Sequence, residues 1–252
     1  MAFSIALAGK GGTGKTTLAG LLIKYLVHTN RVPVLGVDAD SNANLNEVLG
    51  LEVTETLGSA REDMKKGSVP SGMTKDIFIE MKMGEAVVEA DGYDLLVMGQ
   101  PEGAGCYCAA NSLLTNFLDR LQGNYPYIVM DNEAGMEHIS RRTTRNVDHL
   151  LLVTDASQRA LTTIERIIAM IPDLEVNIQN QHLIVNRLID GRMPAPLAAA
   201  VDKLDVKLAG TIPSDPVMAE FEFSGRPLIE LPADTLVVQS AFQIAQRILE
   251  NS

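Results

Sequence analysis

Short apolar runs recur along the chain, and segments with helical periodicity separate them. The strand-like runs are Phe3–Ala8, Val32–Val37, Leu95–Met98, Tyr127–Met130, His149–Val153, His182–Val185 and Leu208–Ile212. They read as continuous hydrophobics and not as alternating ones. Strands buried on both faces have this pattern, as in a parallel sheet covered by helices. Helical patterns lie at Thr16–Val27, Asp76–Ala90, Ala109–Arg120, Gln158–Met170, Leu197–Leu204 and Thr235–Leu249. The alternation predicts an α/β fold, doubly wound, with a mostly parallel central sheet and helices on both faces. Its crossovers are expected to be right-handed. The stretch Leu51–Lys75 shows no strand and is expected to form helical excursions outside the sheet. The turn-rich segments Gly67–Gly72 and Gly191–Pro196 are too short for interdomain linkers, and no repeat is visible. Residues 1–252 therefore read as one domain.

The first strand runs into Gly9-Lys10-Gly11-Gly12-Thr13-Gly14-Lys15-Thr16-Thr17. This is G-x-x-x-x-G-K-[ST] between a strand and a helix, the context that makes it a phosphate-binding loop of a P-loop NTPase. Glycines let backbone amides turn inward around phosphate oxygens. Lys15 is expected to reach the terminal phosphates, and the Thr16 hydroxyl to ligate Mg²⁺. The following helix adds its positive N-terminal end. Taken alone, Lys10 could be a solvated loop lysine. Two further runs end in carboxylates: Val32–Val37 leads into Asp38-Ala39-Asp40, and Tyr127–Met130 into Asp131. Carboxylates at the carboxyl ends of parallel strands lie where ligands bind in open α/β sheets. Asp131 is expected to hold Mg²⁺ through water, whereas Asp40 could also serve as a helix N-cap. Gly135 gives the backbone freedom to approach a γ-phosphate. Glu133 and His138 have no assigned role.

Composition then narrows the partners. The 252 residues carry 21 basic and 32 acidic side chains, a net charge of −11. That balance argues against nucleic acid as the main partner, because phosphate backbones require a basic face. A nucleotide needs only a local positive site. No run approaches about 18 consecutive apolar residues, so no membrane span is expected. The N-terminus lacks a charged region and cleavage site, so no signal peptide is expected and the protein reads as cytoplasmic.

Both cysteines fall in Glu102-Gly103-Ala104-Gly105-Cys106-Tyr107-Cys108. Two are too few for a secreted disulfide framework. Thiolates at C-x-C spacing suit a soft metal such as Zn²⁺ or a thiophilic transition metal. One chain supplies two ligands; a two-fold axis through the site would supply four. Buried apolar cysteines and a reversible, strained C-x-C disulfide are the alternatives.

The K-G-G-x-G-K-[ST] loop resembles the deviant Walker A family, which includes MinD, ParA, the nitrogenase iron protein and the arsenite-pump ATPases. The resemblance implies that Lys10 reaches a partner's nucleotide in an ATP-sandwich homodimer. It implies Asp38 as a water-mediated Mg²⁺ ligand and Asp40 as the residue that orients the attacking water. A guanine site would show N-K-x-D after the His182–Val185 strand, but the chain has Asn186-Arg187-Leu188-Ile189. The guanine reading therefore fails, and the resemblance implies ATP, with Asn186 as the adenine contact, the adjoining Arg187 in the nucleotide site and Pro213 in the loop on the adenine's other side. The cysteine segment, with Lys10 and the run Asp131–His138, is similar to the CooC-type ATPases, accessory proteins for nickel insertion into carbon monoxide dehydrogenase, and to their sister AcsF, which serves acetyl-CoA synthase. That resemblance implies Ni²⁺ or Zn²⁺ held between two subunits by Cys106 and Cys108, with the apo-enzyme as client. The alternatives are a MinD/ParA-type positioning ATPase and an iron–sulfur ATPase. The latter uses two cysteines far apart in sequence, which this chain lacks. The C-terminal segment Thr235–Ser252 is core-like, unlike a basic membrane-docking helix.

Overall fold

In the computed structural model the described residues are 2–40, 42, 44–65, 69–99, 117–118, 120–121, 123–134, 146–173 and 176–250. The segment holding Cys106 and Cys108, and the one holding Gly135 and His138, lie outside them. Among the described residues eight strands form one sheet: β1 (Phe3–Gly9), β2 (Val34–Asp38), β3 (Val87–Glu89), β4 (Tyr93–Val97), β5 (Tyr127–Asp131), β6 (Asn146–Thr154), β7 (Asn177–Leu188) and β8 (Lys207–Pro213). Their order is β3-β4-β2-β5-β1-β6-β7-β8. All pairings are parallel except β3 with β4.

Helices cover both faces, as the continuous apolar runs predict. Along β1, Ile5 and Leu7 face one side while Ala6 and Ala8 face the other, and all four are buried. The first face packs on α1 (Lys15–His28), the short α2 (Leu45–Leu49), and α8 (Leu236–Glu250) through Val238, Ala241 and Ile244. The second packs on α5 (Gln158–Met170), through Leu161, Ile164 and Ile167, and on α6 (Ala195–Val201). Helices α3 (Leu57–Lys65) and α4 (Lys75–Glu85) give Leu57, Phe78 and Met83 to the buried set. Helix α7 (Pro216–Phe223) follows β8.

Most elements match the expected ones, with shifted ends. Helix α3 provides the helical excursion expected in Leu51–Lys75. The helix expected over Asp76–Ala90 stops at Glu85, and residues 87–89 pair antiparallel with β4 as an edge strand. Val87 and Val88 are β-branched and find Leu96 and Leu95 opposite them, so pairing overrides a weak helical pattern. The strand read from Val32 begins only at Val34. The helix α7, absent from the hydrophobic reading, has a local cause. The Asp215 carboxylate accepts from the Val217 and Met218 amides at 2.8 and 3.4 Å, and Pro216 occupies the first turn. Of the expected helix Ala109–Arg120, only residues 117–118 and 120 are described, and they are helical.

Leu151 on β6 is fully buried against the α1–α8 layer. Leu151→Ala is expected to lower unfolding stability by about 2–5 kcal/mol through lost burial and a residual cavity. Phe223→Ser, at a side chain 95% exposed, should change it by less than about 0.5 kcal/mol. Urea denaturation at constant m-value checks both.

Candidate functional site

The parallel register places the candidate residues together. Asp38 of β2 stands opposite Asp131 of β5, and Leu7 of β1 stands opposite Asp131 on its other side. The carboxylates thus end neighbouring strands next to the strand that feeds the phosphate loop. The loop, residues 9–14, runs from β1 to α1. Gly9 has φ +151°, and a Cβ there would sit 2.2 Å from the Val153 carbonyl oxygen of β6. Gly14 caps α1 with φ +92°, and a Cβ there would collide with Asn186 Nδ2 at 2.3 Å. Both positions therefore require glycine.

Lys15 is buried at the first turn of α1. Its Nζ lies 3.4 Å from the Gly9 carbonyl and 3.5 Å from that of Lys10, so it folds back over the loop. Burial lowers its pKa from the ordinary lysine value, while Asp131, Asp40 and Glu133 act in the opposite direction. The Lys10 carbonyl also accepts from the Thr13 hydroxyl at 2.9 Å. The Lys10 side chain is exposed, as are Gly11 and Gly12, whereas Thr16 and Thr17 are partly buried beyond Lys15.

Asp38 is fully buried and accepts from the Asp40 amide at 3.1 Å and the Leu45 amide at 2.9 Å. Burial pushes its carboxyl up to about 6 against those bonds. The second bond ties the start of α2 to the site, a link that hydrophobic periodicity did not reveal. Asp131 is pushed up to about 7, again chiefly by burial, with Asp38 adding to the rise and Thr16 and Lys15 opposing it. Its Oδ1 is buried with no hydrogen-bond partner among the described residues. Asp40 is bent into a local turn, accepting from the Asn42 amide at 2.8 Å. Two adjacent buried carboxylates, one oxygen of which lacks a partner, fit a divalent cation with water in its shell. Among the described residues no group of three or more His, Cys, Asp or Glu side chains could hold a metal directly.

On the other side of the loop, Asn186 closes the buried run 182–186 of β7. Its Nδ2 donates to the Thr13 carbonyl at 2.8 Å, and its Oδ1 accepts from the Arg187 amide at 2.8 Å. Arg187 Nη1 donates to the Gly12 carbonyl at 2.9 Å. Pro213 pairs with Leu188 at the end of β8, beside them. Asn132, which the sequence marks only as part of the run Asp131–His138, is buried and donates to the Leu7 carbonyl at 3.0 Å. The next residue but one, Ala134, lies 3.5 Å from where a Cβ on Gly11 would be, so this turn packs against the loop. A cavity of about 730 Å³ opens beside Thr16 and Thr17, with Asn46, Glu47, Glu222 and Arg226 in its lining.

Comparison with known proteins agrees with this geometry. Residues 4–228 match the CobQ/CobB/MinD/ParA nucleotide binding domain. The chain belongs to that family. It is a P-loop ATPase of the MinD/ParA type, with the family's mostly parallel sheet. An ATP-binding protein of Methanocaldococcus jannaschii is 41% identical over 249 residues, covering 97% of this chain and 98% of that protein. The carbon monoxide dehydrogenase accessory protein CooC of Rhodospirillum rubrum is 30% identical over 243 residues, 90% of this chain and 89% of that one. The septum site-determining protein MinD of Pyrococcus horikoshii, solved with Mg-ADP, is 25% identical with a TM-score of 0.73, covering 98% and 96% of the two chains. Among the described residues no helix of this family member is long and apolar enough to cross a membrane.

The buried carboxylates give a pH signature. A carboxyl raised in the folded state contributes stability that is full below about 4, its unfolded value, and is lost as pH rises through about 7. Without nucleotide or Mg²⁺, Asp131→Asn is expected to raise Tm at pH 8 by roughly 2–4 °C for each kcal/mol of relieved burial cost. The gain should shrink at pH 5, where the native carboxyl is neutral. Thermal melts at the two pH values check this; an equal shift at both would contradict it.

Proposed function

We propose that this ATPase is a metallochaperone that inserts nickel into carbon monoxide dehydrogenase or acetyl-CoA synthase. In this reading residues 1–252 form one ATPase domain, which works in the cytoplasm as a nucleotide-switched homodimer. The observation that carries it is the 30% identity to the R. rubrum accessory protein across nine-tenths of the chain, with both cysteines paired at C-x-C spacing. Cys106 and Cys108 would give two thiolates per protomer, and a two-fold axis would complete a four-sulfur site for Ni²⁺ or Zn²⁺ as cargo.

ATP is bound through the phosphate loop, Gly9 to Thr17, with Lys15 at the terminal phosphates. The nucleoside extends toward Asn186 and Pro213. Thr16 would hold Mg²⁺ directly, and Asp38 and Asp131 would hold it through water; the ion supplies charge neutralisation on the phosphates. Asp40 orients the attacking water. Positioning and charge stabilisation carry phosphoryl transfer, with little covalent work for the protein. Lys10, exposed on the loop, reaches the partner protomer's nucleotide. Hydrolysis drives metal hand-over only if the two nucleotide states differ in metal affinity. Neither nucleic acid nor a membrane takes part.

A MinD/ParA-type positioning ATPase is the second reading, favoured by the likeness to the P. horikoshii MinD structure. The two separate on metal. Protein purified without oxygen is expected to bind about one Ni²⁺ or Zn²⁺ per dimer, with affinity changing at least tenfold between ADP and a non-hydrolysable ATP analogue. Cys106→Ser should abolish metal binding and spare nucleotide; Lys15→Ala should spare metal and abolish nucleotide. Elemental analysis and calorimetry check each. No metal, or no effect of the cysteine change, would leave the positioning reading; four irons per dimer and a brown colour would mark the iron–sulfur one.

A further inference from the structure

The end of β7 breaks the rule that strand side chains alternate between faces. Leu183 and Val185 belong to the core layer on the α5–α6 side, while Ile184 belongs to the α1 side. Continued alternation would put Asn186 on the α1 side and Arg187 on the opposite one, away from the phosphate loop. Instead both side chains reach loop carbonyls, and Leu188 then returns to the α5–α6 layer. The extra residue appears as a register shift against β8 between Val185 and Leu188. It is absorbed at Arg187, whose φ of +58° lies in the left-handed region, unusual for a side chain of this size. The Arg187 amide, turned by that conformation, is held by Asn186 Oδ1 at 2.8 Å. Such backbone strain persists only where the surroundings over-determine it.

The two bonds fall on consecutive peptide units. Asn186 Nδ2 holds the Thr13 carbonyl at 2.8 Å and Arg187 Nη1 holds the Gly12 carbonyl at 2.9 Å. In a trans peptide the N–H points opposite to the C=O. Drawing the carbonyls of residues 12 and 13 outward turns the amides of residues 13 and 14 away from the β7 end.

We propose that Asn186 and Arg187 act as a two-pronged clamp that fixes the outer peptides of the phosphate loop, and that Arg187 is a positioning residue for phosphate and not a contact for the base. The left-handed turn at Arg187 exists to bring the second prong onto the same face as the first. The clamp lowers the ordering cost of the glycine-rich loop before the ligand arrives, since Gly11, Gly12 and Gly14 would otherwise sample many conformations. It rests on the nucleotide-binding reading of the loop.

The test compares the full-length protein with Arg187→Ala, Arg187→Gly and Arg187→Lys, using calorimetry with MgADP and with magnesium pyrophosphate, which has no base. Arg187→Ala and Arg187→Gly should each weaken both ligands about tenfold and by the same factor. Arg187→Gly relieves the left-handed strain, so a Tm no lower than that of Arg187→Ala alongside the affinity loss separates the guanidinium's role from misfolding. Arg187→Lys, which keeps a cationic donor, should recover part of the affinity for both ligands. In steady state KM for ATP should rise with kcat within twofold. Unchanged MgADP affinity, a loss seen with MgADP but not with pyrophosphate, or full affinity in Arg187→Gly would overturn the clamp. If the unsubstituted protein bound neither ligand, the nucleotide reading itself would fall, and the clamp with it.

Discussion

Asp38 and Asp131 sit side by side at the carboxyl ends of β2 and β5, both removed from water, with Lys15 across from them. Carboxylates in such a place oppose folding unless a cation answers them. The rest of the site is arranged around that tension. Burial raises both carboxyls, the Leu45 and Asp40 amides satisfy Asp38, and an oxygen of Asp131 is left without a partner among the described residues. In the proposed reading, a divalent ion arriving with the nucleotide would answer that charge. The cost in the empty protein is the reverse side of affinity for the charged ligand.

The same carboxylates connect the site to the surface. The Leu45 amide that serves Asp38 begins α2, and α2 packs on α1 and borders the cavity beside Thr16 and Thr17. A change in charge at Asp38 therefore acts on a helix end one bond away. On the opposite flank the turn after β5 touches the loop through Ala134 at Gly11, and Asn132 anchors that turn to β1. The loop is thus gripped from the β5 side and from the β7 side, which leaves Lys10 free to project outward. An exposed lysine on a braced loop is suited to meet a second molecule.

Family membership accounts for the fold and the ATPase chemistry but does not choose a cargo. The relatives named above include a carbon monoxide dehydrogenase accessory protein and a septum site-determining protein on the same framework. Function in such cases lives in local additions and not in the shared sheet. The proposed nickel reading rests on Cys106 and Cys108, and metal measurements on those two side chains decide between the readings.

The amino-acid order alone determined the buried parallel sheet, because strands covered on both faces must be apolar at every position. It also marked the phosphate loop and the strand-end carboxylates, whose chemistry is tied to residue type and short spacing. Long-range pairing decided the rest. The edge strand Val87–Glu89 exists because Tyr93–Val97 offers it a partner, which no local pattern can show. The adjacency of Asp38 and Asp131 follows from β2 and β5 pairing across 93 residues of chain. Asn186 and Arg187 reach the loop across more than 170 residues of chain, and the reach of Arg187 depends on its own left-handed backbone, which breaks strand alternation. Hydrophobic periodicity is written locally; which strand ends meet, and which side chains they turn toward one ligand, is settled only when the sheet closes.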